Sequence, residues 1–225
     1  MHEGLGYAPD SDLARRVQQV KVFDSMAHLQ QSIYLSYPDA LGGWNEPGES
    51  IKLLGSEGSS TKMVRVLLAH EYGHVASFEM GEPINDAPWW VLEGVAELAA
   101  QRYAGSWTAV DRTVRGWAKA GLLSDWALLA DFRGEARNHI DRVYTQGHHM
   151  VGYVSSLAGR DGRNAWLRAM ARGLSLDQAT REALGMTFEE LDRRWRESLL
   201  TPAPRREPQP DAEPEPEPEP AGAQP

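Results

Sequence analysis

The chain has 225 residues and contains no cysteine, which excludes disulfides, thiolate nucleophiles and cysteine-based zinc sites. Its formal net charge of −9 argues against a nucleic-acid partner. The length is that of a single domain, and no segment approaches the roughly 18 uninterrupted apolar residues of a membrane-spanning helix.

The N-terminal segment predicts little regular structure. Residues 1–16 mix glycine, aspartate and arginine, so we expect a flexible arm there and a folded region over residues 17–200. The first residues, Met1–Gly6, lack the basic start and the apolar run of a secretory signal. We therefore expect a cytoplasmic protein, or an exported or tethered one if the chain is a trimmed piece.

Two short strands are expected before the first long helix. Val17–Phe23 is rich in β-branched residues, and Ser50–Leu54 is a second apolar segment followed by glycine. Asp24 or Ser25 can cap a short helix after the first strand. Gly42–Pro47 contains glycine, asparagine and proline and predicts a plain turn.

The strongest sequence signal is an H-E-x-x-H pattern at His70–His74, inside a helix predicted over Thr61–Met80. Residues i and i+4 lie one turn apart on one helix face, so His70 and His74 can both reach one metal ion. Glu71 lies at the rim of this face. There it can take a proton from a metal-bound water without binding the metal itself.

A second helix offers a third metal ligand. Pro88 suits the first turn of a helix predicted over Trp89–Tyr103, and Glu93 and Glu97 lie at i and i+4 on one of its faces. Carboxylates on an otherwise apolar helix are costly to bury without partners, and a metal ion supplies one. A catalytic zinc site needs three protein ligands, so a carboxylate here would complete the two histidines.

The remainder of the chain predicts packing helices and a tail. Residues 131–138 are polar and predict a loop. A Pro/Glu-rich segment, residues 201–225, cannot build a core and is expected to be disordered. The predicted helices cover Thr108–Ala120, Ser124–Leu129, Gly162–Arg172, Ser175–Ala183 and Thr187–Leu199.

Together, the two motifs resemble those of the gluzincin metallopeptidases, in the peptidase MA-like branch related to the zinc aminopeptidases. That group carries HExxH, eighteen intervening residues and a glutamate within W-[LV]-x-E-G-x-A, and eighteen residues separate His74 from Glu93 here. The resemblance implies that His70, His74 and Glu93 bind one zinc ion per chain. It also implies that Glu71 is the general base and that Glu97 holds a ligand histidine through its other ring nitrogen. The partner would be a peptide or protein substrate, cut internally or from one end.

The same resemblance gives weaker indications for two other segments. Zinc aminopeptidases carry a G-x-M-E-N loop whose glutamate grips the substrate amine. Gly42–Pro47 departs from that pattern, so a substrate role for Glu46 competes with the plain turn. The aminopeptidases also carry Y-x-K-G, which Tyr144–Gly147 resembles with glutamine in place of lysine. Tyr144 would then stabilise the oxyanion, with His148 as the alternative donor and a core tyrosine as the structural interpretation.

The resemblance also implies an architecture. We expect an α+β fold, with a small N-terminal sheet edging an active-site cleft, followed by a mostly helical thermolysin-like or aminopeptidase-like catalytic region. The strand Ser50–Leu54 would be the edge of the cleft, where a peptide substrate can pair by strand addition.

Two alternatives compete with a gluzincin peptidase. Metzincins need glycine at position 77 and histidine at position 80, where the chain has Ser77 and Met80, so that class fits worse. A catalytically inactive descendant could use the zinc fold as a scaffold or binding module. A scaffold has no use for Glu71, so we favour the zinc metallopeptidase and keep the scaffold as the alternative.

Overall fold

The computed structural model describes residues 17–33, 42–45, 48–55, 59–105 and 107–201. Within these residues the sheet has three short strands, β1 (Val20–Phe23), β2 (Gly43–Trp44) and β3 (Ile51–Leu54). The middle strand is β3, which runs parallel to β1 and antiparallel to β2. β2 therefore forms one edge of the sheet.

The rest of the described chain is mostly helical. The α-helices are α1 (Met26–Gln31), α2 (Thr61–Phe78), α3 (Trp89–Ala104), α4 (Trp107–Lys119), α5 (Ile140–Ala171), α6 (Leu176–Leu184) and α7 (Phe188–Leu200). Short 3-10 helices cover Glu82–Asp86, Trp126–Leu129 and Glu135–His139. A small sheet with a helical remainder confirms the predicted α+β class.

α3 holds the helical part together. It packs against α2 on one side and against α5 on another, and Trp90, Val91 and Val95 along it are buried in the main hydrophobic core. Burial of such large apolar side chains is the main favourable contribution to folding. A smaller apolar cluster of Ile51, Leu53 and Val75 joins β3 to α2 and so fixes the sheet against the helix that carries the H-E-x-x-H pattern.

The sheet corrects two predictions. Gly43–Trp44, predicted as part of a plain turn, is the edge strand β2, because its backbone pairs with Leu53 and Lys52 of β3. The strand predicted as Ser50–Leu54 is central, so it is not the free edge of a cleft. A strand of two residues carries no sequence periodicity, and only its long-range pairing defines it.

The helical part differs from the prediction chiefly in α5. This helix has 32 residues and begins at Ile140, whereas the sequence predicted a helix over Gly162–Arg172 and presumed a separate one that carries Tyr144 and His148. Glycines such as Gly147 weaken the local helix signal, and packing against α3 overrides it. The backbone leaves helical geometry at Gly159, where φ is 70°.

Smaller differences concern the connecting segments. The helix predicted over Ser124–Leu129 is a 3-10 helix at Trp126–Leu129, and Glu135–His139 is helical within the predicted loop. No helix in the described ranges is long and apolar enough to cross a membrane. Residues 1–16 and 202–225 are not among the described residues, so the predicted domain boundaries stay predictions.

Candidate metal centre

Helix α2 places His70 and His74 next to each other. Ser60 caps the helix by accepting a hydrogen bond from the Met63 N–H at 3.1 Å. His70 and His74 lie one turn apart, with their ring centroids 4.9 Å apart at an interplanar angle of 81°. Only 12% of each side chain is exposed. The spacing therefore places both imidazoles, as predicted, on one partly buried helix face.

Glu93 comes to the histidines from α3. Its Oε2 lies 3.2 Å from Nε2 of His70 and 3.5 Å from Nε2 of His74. The three ligand atoms all lie within 4.8 Å of one another, and the group is one that could hold a metal ion. Residues separated along the sequence thus converge through the packing of α2 on α3.

Glycines allow the helices to approach this closely. A Cβ at Gly73 would lie 2.8 Å from Cα of Ala96, so α2 and α3 meet backbone to backbone between the two histidines. On the opposite side of α3, a Cβ at Gly94 would lie 2.6 Å from the carbonyl oxygen of Gly147 in α5. No role was predicted for these glycines, and the signal that they offer is their place inside helices that otherwise favour larger residues.

The hydrogen bonding at this point fits a bound cation. Oε2 of Glu93 is buried and has no hydrogen-bond partner among the described residues. Nδ1 of His70 lies 3.1 Å from Oε1 of Glu97, and because an ionised carboxylate only accepts, that nitrogen carries the proton. In the neutral ring, Nε2 then presents a lone pair towards Glu93. A carboxylate oxygen facing an imidazole lone pair is unfavourable unless a proton or a metal ion lies between them.

The charges of the site favour a cation at the same point. Burial alone would lower the pKa of His70, but the nearby carboxylates of Glu93 and Glu97 outweigh burial and raise it to about 10. Without a metal ion, a proton on the ring therefore supplies positive charge between these carboxylates, and a bound metal ion would take the place of the proton on Nε2. Burial alone would raise the pKa of Glu93, but His74 and His70 hold it well below the usual range. The surroundings thus keep Glu93 ionised, as a metal ligand must be.

Glu71 lies beside this group, against the edge strand. The residue is 5% exposed, and burial raises the pKa of its carboxyl group, with His74 and His70 partly opposing the rise. A Cβ at Gly43 would lie 2.4 Å from Oε1 of Glu71, so the backbone of β2 runs directly over this carboxylate. The absence of a side chain at Gly43 is what permits that approach.

Tyr144 and His148, the two candidate oxyanion donors, have different surroundings. The ring of Tyr144 is stacked on His70, with centroids 5.8 Å apart and an interplanar angle of 11°. Nε2 of His148 instead forms a hydrogen bond with Oε1 of Gln101 at 3.1 Å, and the histidine is 3% exposed. α5 therefore brings Tyr144 against His70 and buries His148 one turn further on.

One comparison with known proteins identifies the family. The family model described as Peptidase MA superfamily matches residues 10–201. The chain belongs to the peptidase MA superfamily. No curated protein and no solved structure matches the chain. In this superfamily member, His70, His74 and Glu93 converge as a group that could hold a metal ion.

One contact of the site in this superfamily member was not predicted from the sequence. The indole N–H of Trp89 donates a hydrogen bond to Oε1 of Glu93 at 2.7 Å. Its i, i+4 spacing on α3 was the available signal. Glu46, the proposed substrate-loop residue, lies outside the described residues, so its role stays a prediction.

Proposed function

We propose that this protein is a zinc-dependent metallopeptidase of the gluzincin type. The observation that carries the proposal is the convergence of His70, His74 and Glu93, with Oε2 of Glu93 buried and without a hydrogen bond in the described part of the chain. Two imidazoles and one carboxylate are a donor set used by catalytic zinc, which keeps a further position for water or substrate. Membership of the peptidase MA superfamily supports the same conclusion.

Glu71 is the proposed general base. When bound, zinc acts as a Lewis acid that lowers the pKa of water and polarises the carbonyl group of the scissile bond. Glu71 accepts a proton from the attacking water and passes it to the departing amine. Burial raises the pKa of Glu71, which makes the carboxylate a stronger base for the proton of the attacking water.

Glu97 is the proposed partner of a ligand histidine. Its Oε1 lies 3.1 Å from Nδ1 of His70. A carboxylate in this position fixes the tautomer and the orientation of the ring and makes the other nitrogen a better ligand.

Tyr144 is the proposed donor to the oxyanion. Its stacking on His70 supports this role, because the phenol then belongs to the wall of the metal centre. His148 is less suited, because its Nε2 is engaged by Gln101 and burial lowers its pKa to about 4. A donor aimed at the charge that develops in the transition state contributes about 2.7–4 kcal/mol.

The proposed substrate is an extended peptide that pairs with β2. This strand is an edge of the sheet as far as the structure describes the chain, and it lies over Glu71; an extended chain can add to a sheet edge by main-chain hydrogen bonds. A cavity of about 450 Å³, lined in part by Asn45, Phe78 and Glu79, adjoins the strand. The ring of Phe78 stacks on His74, so the cavity is close enough to receive a side chain of the same peptide.

Glu71→Gln tests this function against the inactive scaffold. The substitution keeps the size of the side chain and removes the base, so hydrolysis of a broad peptide library should fall roughly 10²–10⁴-fold. Zinc content should stay at the wild-type value. Glu82→Gln, at an exposed glutamate of the next 3-10 helix, is the matched control and should keep full activity. Wild-type protein that binds zinc but cleaves no more peptide than a chelator-treated sample would support the scaffold.

A further inference from the structure

Trp89 makes a direct contact with the third metal ligand. Its indole N–H donates a hydrogen bond of 2.7 Å to Oε1 of Glu93, and both residues are 7% exposed. The acceptor is a carboxylate oxygen, and the burial of both residues shields this hydrogen bond from water.

The two carboxylate oxygens of Glu93 have different partners. Oε1 is engaged by Trp89, whereas Oε2 faces the Nε2 atoms of His70 and His74 at 3.2 and 3.5 Å. The last torsion of a glutamate side chain has a broad energy profile, so the carboxylate would otherwise rotate readily. Helix side chains lean towards the N-terminus, which brings Glu93 over the turn that carries Trp89.

The indole is itself held in place. The Trp89 backbone N–H donates to the carbonyl oxygen of Ala130 at 2.8 Å. The ring makes edge-to-face contacts with Phe132, at a centroid distance of 4.9 Å, and with Tyr144, at 6.2 Å. The donor is therefore rigid before any ion binds, as a group that orients a ligand must be.

We propose that Trp89 is a positioning residue for the metal centre, because it fixes the Glu93 carboxylate so that Oε2 alone is offered to the ion. The inference rests on the proposed function, since it takes His70, His74 and Glu93 as the zinc ligands. Trp89 acts only through Glu93. Loss of such an outer partner typically weakens metal affinity 10–100-fold.

The next residue provides a matched control. Trp90 is fully buried and packs against Trp126 and Trp166, but its indole nitrogen has no hydrogen-bond partner among the described residues. Trp89→Phe and Trp90→Phe remove the same atoms from neighbouring positions of one helix. Only the first removes a hydrogen bond to a proposed ligand, so a purely structural role for Trp89 predicts equal effects.

The test is the zinc affinity of the two variants, measured by competition with a chromogenic chelator. Trp89→Phe should bind zinc 10–100-fold more weakly than wild type, and Trp90→Phe should stay close to wild type even if it melts at a lower temperature. Unchanged affinity in Trp89→Phe, or an equal loss in both variants, would overturn the inference while leaving the proposed function intact. A folded wild type that binds no zinc would instead contradict the proposed function, and the inference with it.

If Trp89→Phe does not fold, a second measurement tests the same inference on wild-type protein. In wild-type protein labelled with ¹⁵N-tryptophan, zinc binding redistributes the charge of Glu93 and should shift one indole N–H resonance. That resonance should remain in the spectrum of Trp90→Phe. Zinc saturation without a shifted indole resonance outside Trp90 would overturn the inference.

Discussion

Gly73→Ala should separate the two helices that join the metal ligands. The residue lies between His70 and His74, and an added Cβ would meet Cα of Ala96 at 2.8 Å and Cβ of Ala99 at 3.1 Å. These neighbours are backbone and short side chains, which cannot swing away. The helices must therefore move apart until the distance from the new Cβ to Cα of Ala96 increases from 2.8 Å to about 3.4 Å, where ordinary van der Waals contact begins.

The expected change in stability on Gly73→Ala is the sum of two opposing effects. Overpacking of a rigid contact costs about 1–3 kcal/mol, whereas alanine in place of glycine gains about 1 kcal/mol of helix propensity. Because the added Cβ meets backbone atoms, we expect an overpacking cost in the upper part of its range. The free energy of unfolding should therefore decrease by about 1–2 kcal/mol in total. For a protein of this size, that loss lowers the melting temperature by about 2–8 °C.

The assay is thermal unfolding together with zinc affinity, and Gly116→Ala is the control. Gly116 is exposed in α4, and a Cβ there would meet nothing within 4 Å, so the same substitution should raise the melting temperature by about 2–4 °C. Gly73→Ala should also weaken zinc binding, because Glu93 moves away from the histidines. If Gly73→Ala were as stable as Gly116→Ala and bound zinc like wild type, the close crossing of α2 and α3 would not be what assembles the site.

Two further predictions concern α5. Tyr144→Phe should lower kcat by roughly 10²–10³ with zinc content unchanged, and His148→Gln should cost much less; the reverse ranking would give the oxyanion role to His148. Burial lowers the pKa of His148 to about 4, below the 6.5 of an unperturbed histidine. Between these two pH values the unfolded state binds more protons than the folded state, so the stability of the fold decreases as the pH is lowered. Urea unfolding measures this effect. Between pH 7 and pH 5, the free energy of unfolding of wild type should fall by about 2 kcal/mol more than that of His148→Gln. Equal decreases in the two proteins would refute the buried, neutral state of His148.

The arrangement of the candidate metal centre could largely be predicted from the sequence, because the spacing within each helix is local. The i, i+4 separations of His70 from His74 and of Glu93 from Glu97 follow from helix geometry alone. What joins the two pairs is the packing of α2 on α3. That packing depends on Gly73 meeting Ala96, a contact between residues that no periodicity connects.

The sheet and α5 could be predicted less well, because long-range contacts define them. β2 is two residues long and becomes a strand only through its pairing with β3. The start of α5 contains glycine and histidine, which are weak helix formers, and its burial against α3 determines its conformation. The contact of Trp89 with Glu93 has helix spacing, but tryptophan on an apolar helix usually signals packing.

The central claim is that His70, His74 and Glu93 form one zinc site, and the amount of zinc bound per chain tests it most directly. After dialysis against buffered zinc, elemental analysis of wild-type protein should find about one zinc per chain. His74→Ala, which removes one of the three ligands, should bind far less under the same conditions. Folded wild-type protein without stoichiometric zinc, or a His74→Ala variant with as much zinc as wild type, would contradict the claim.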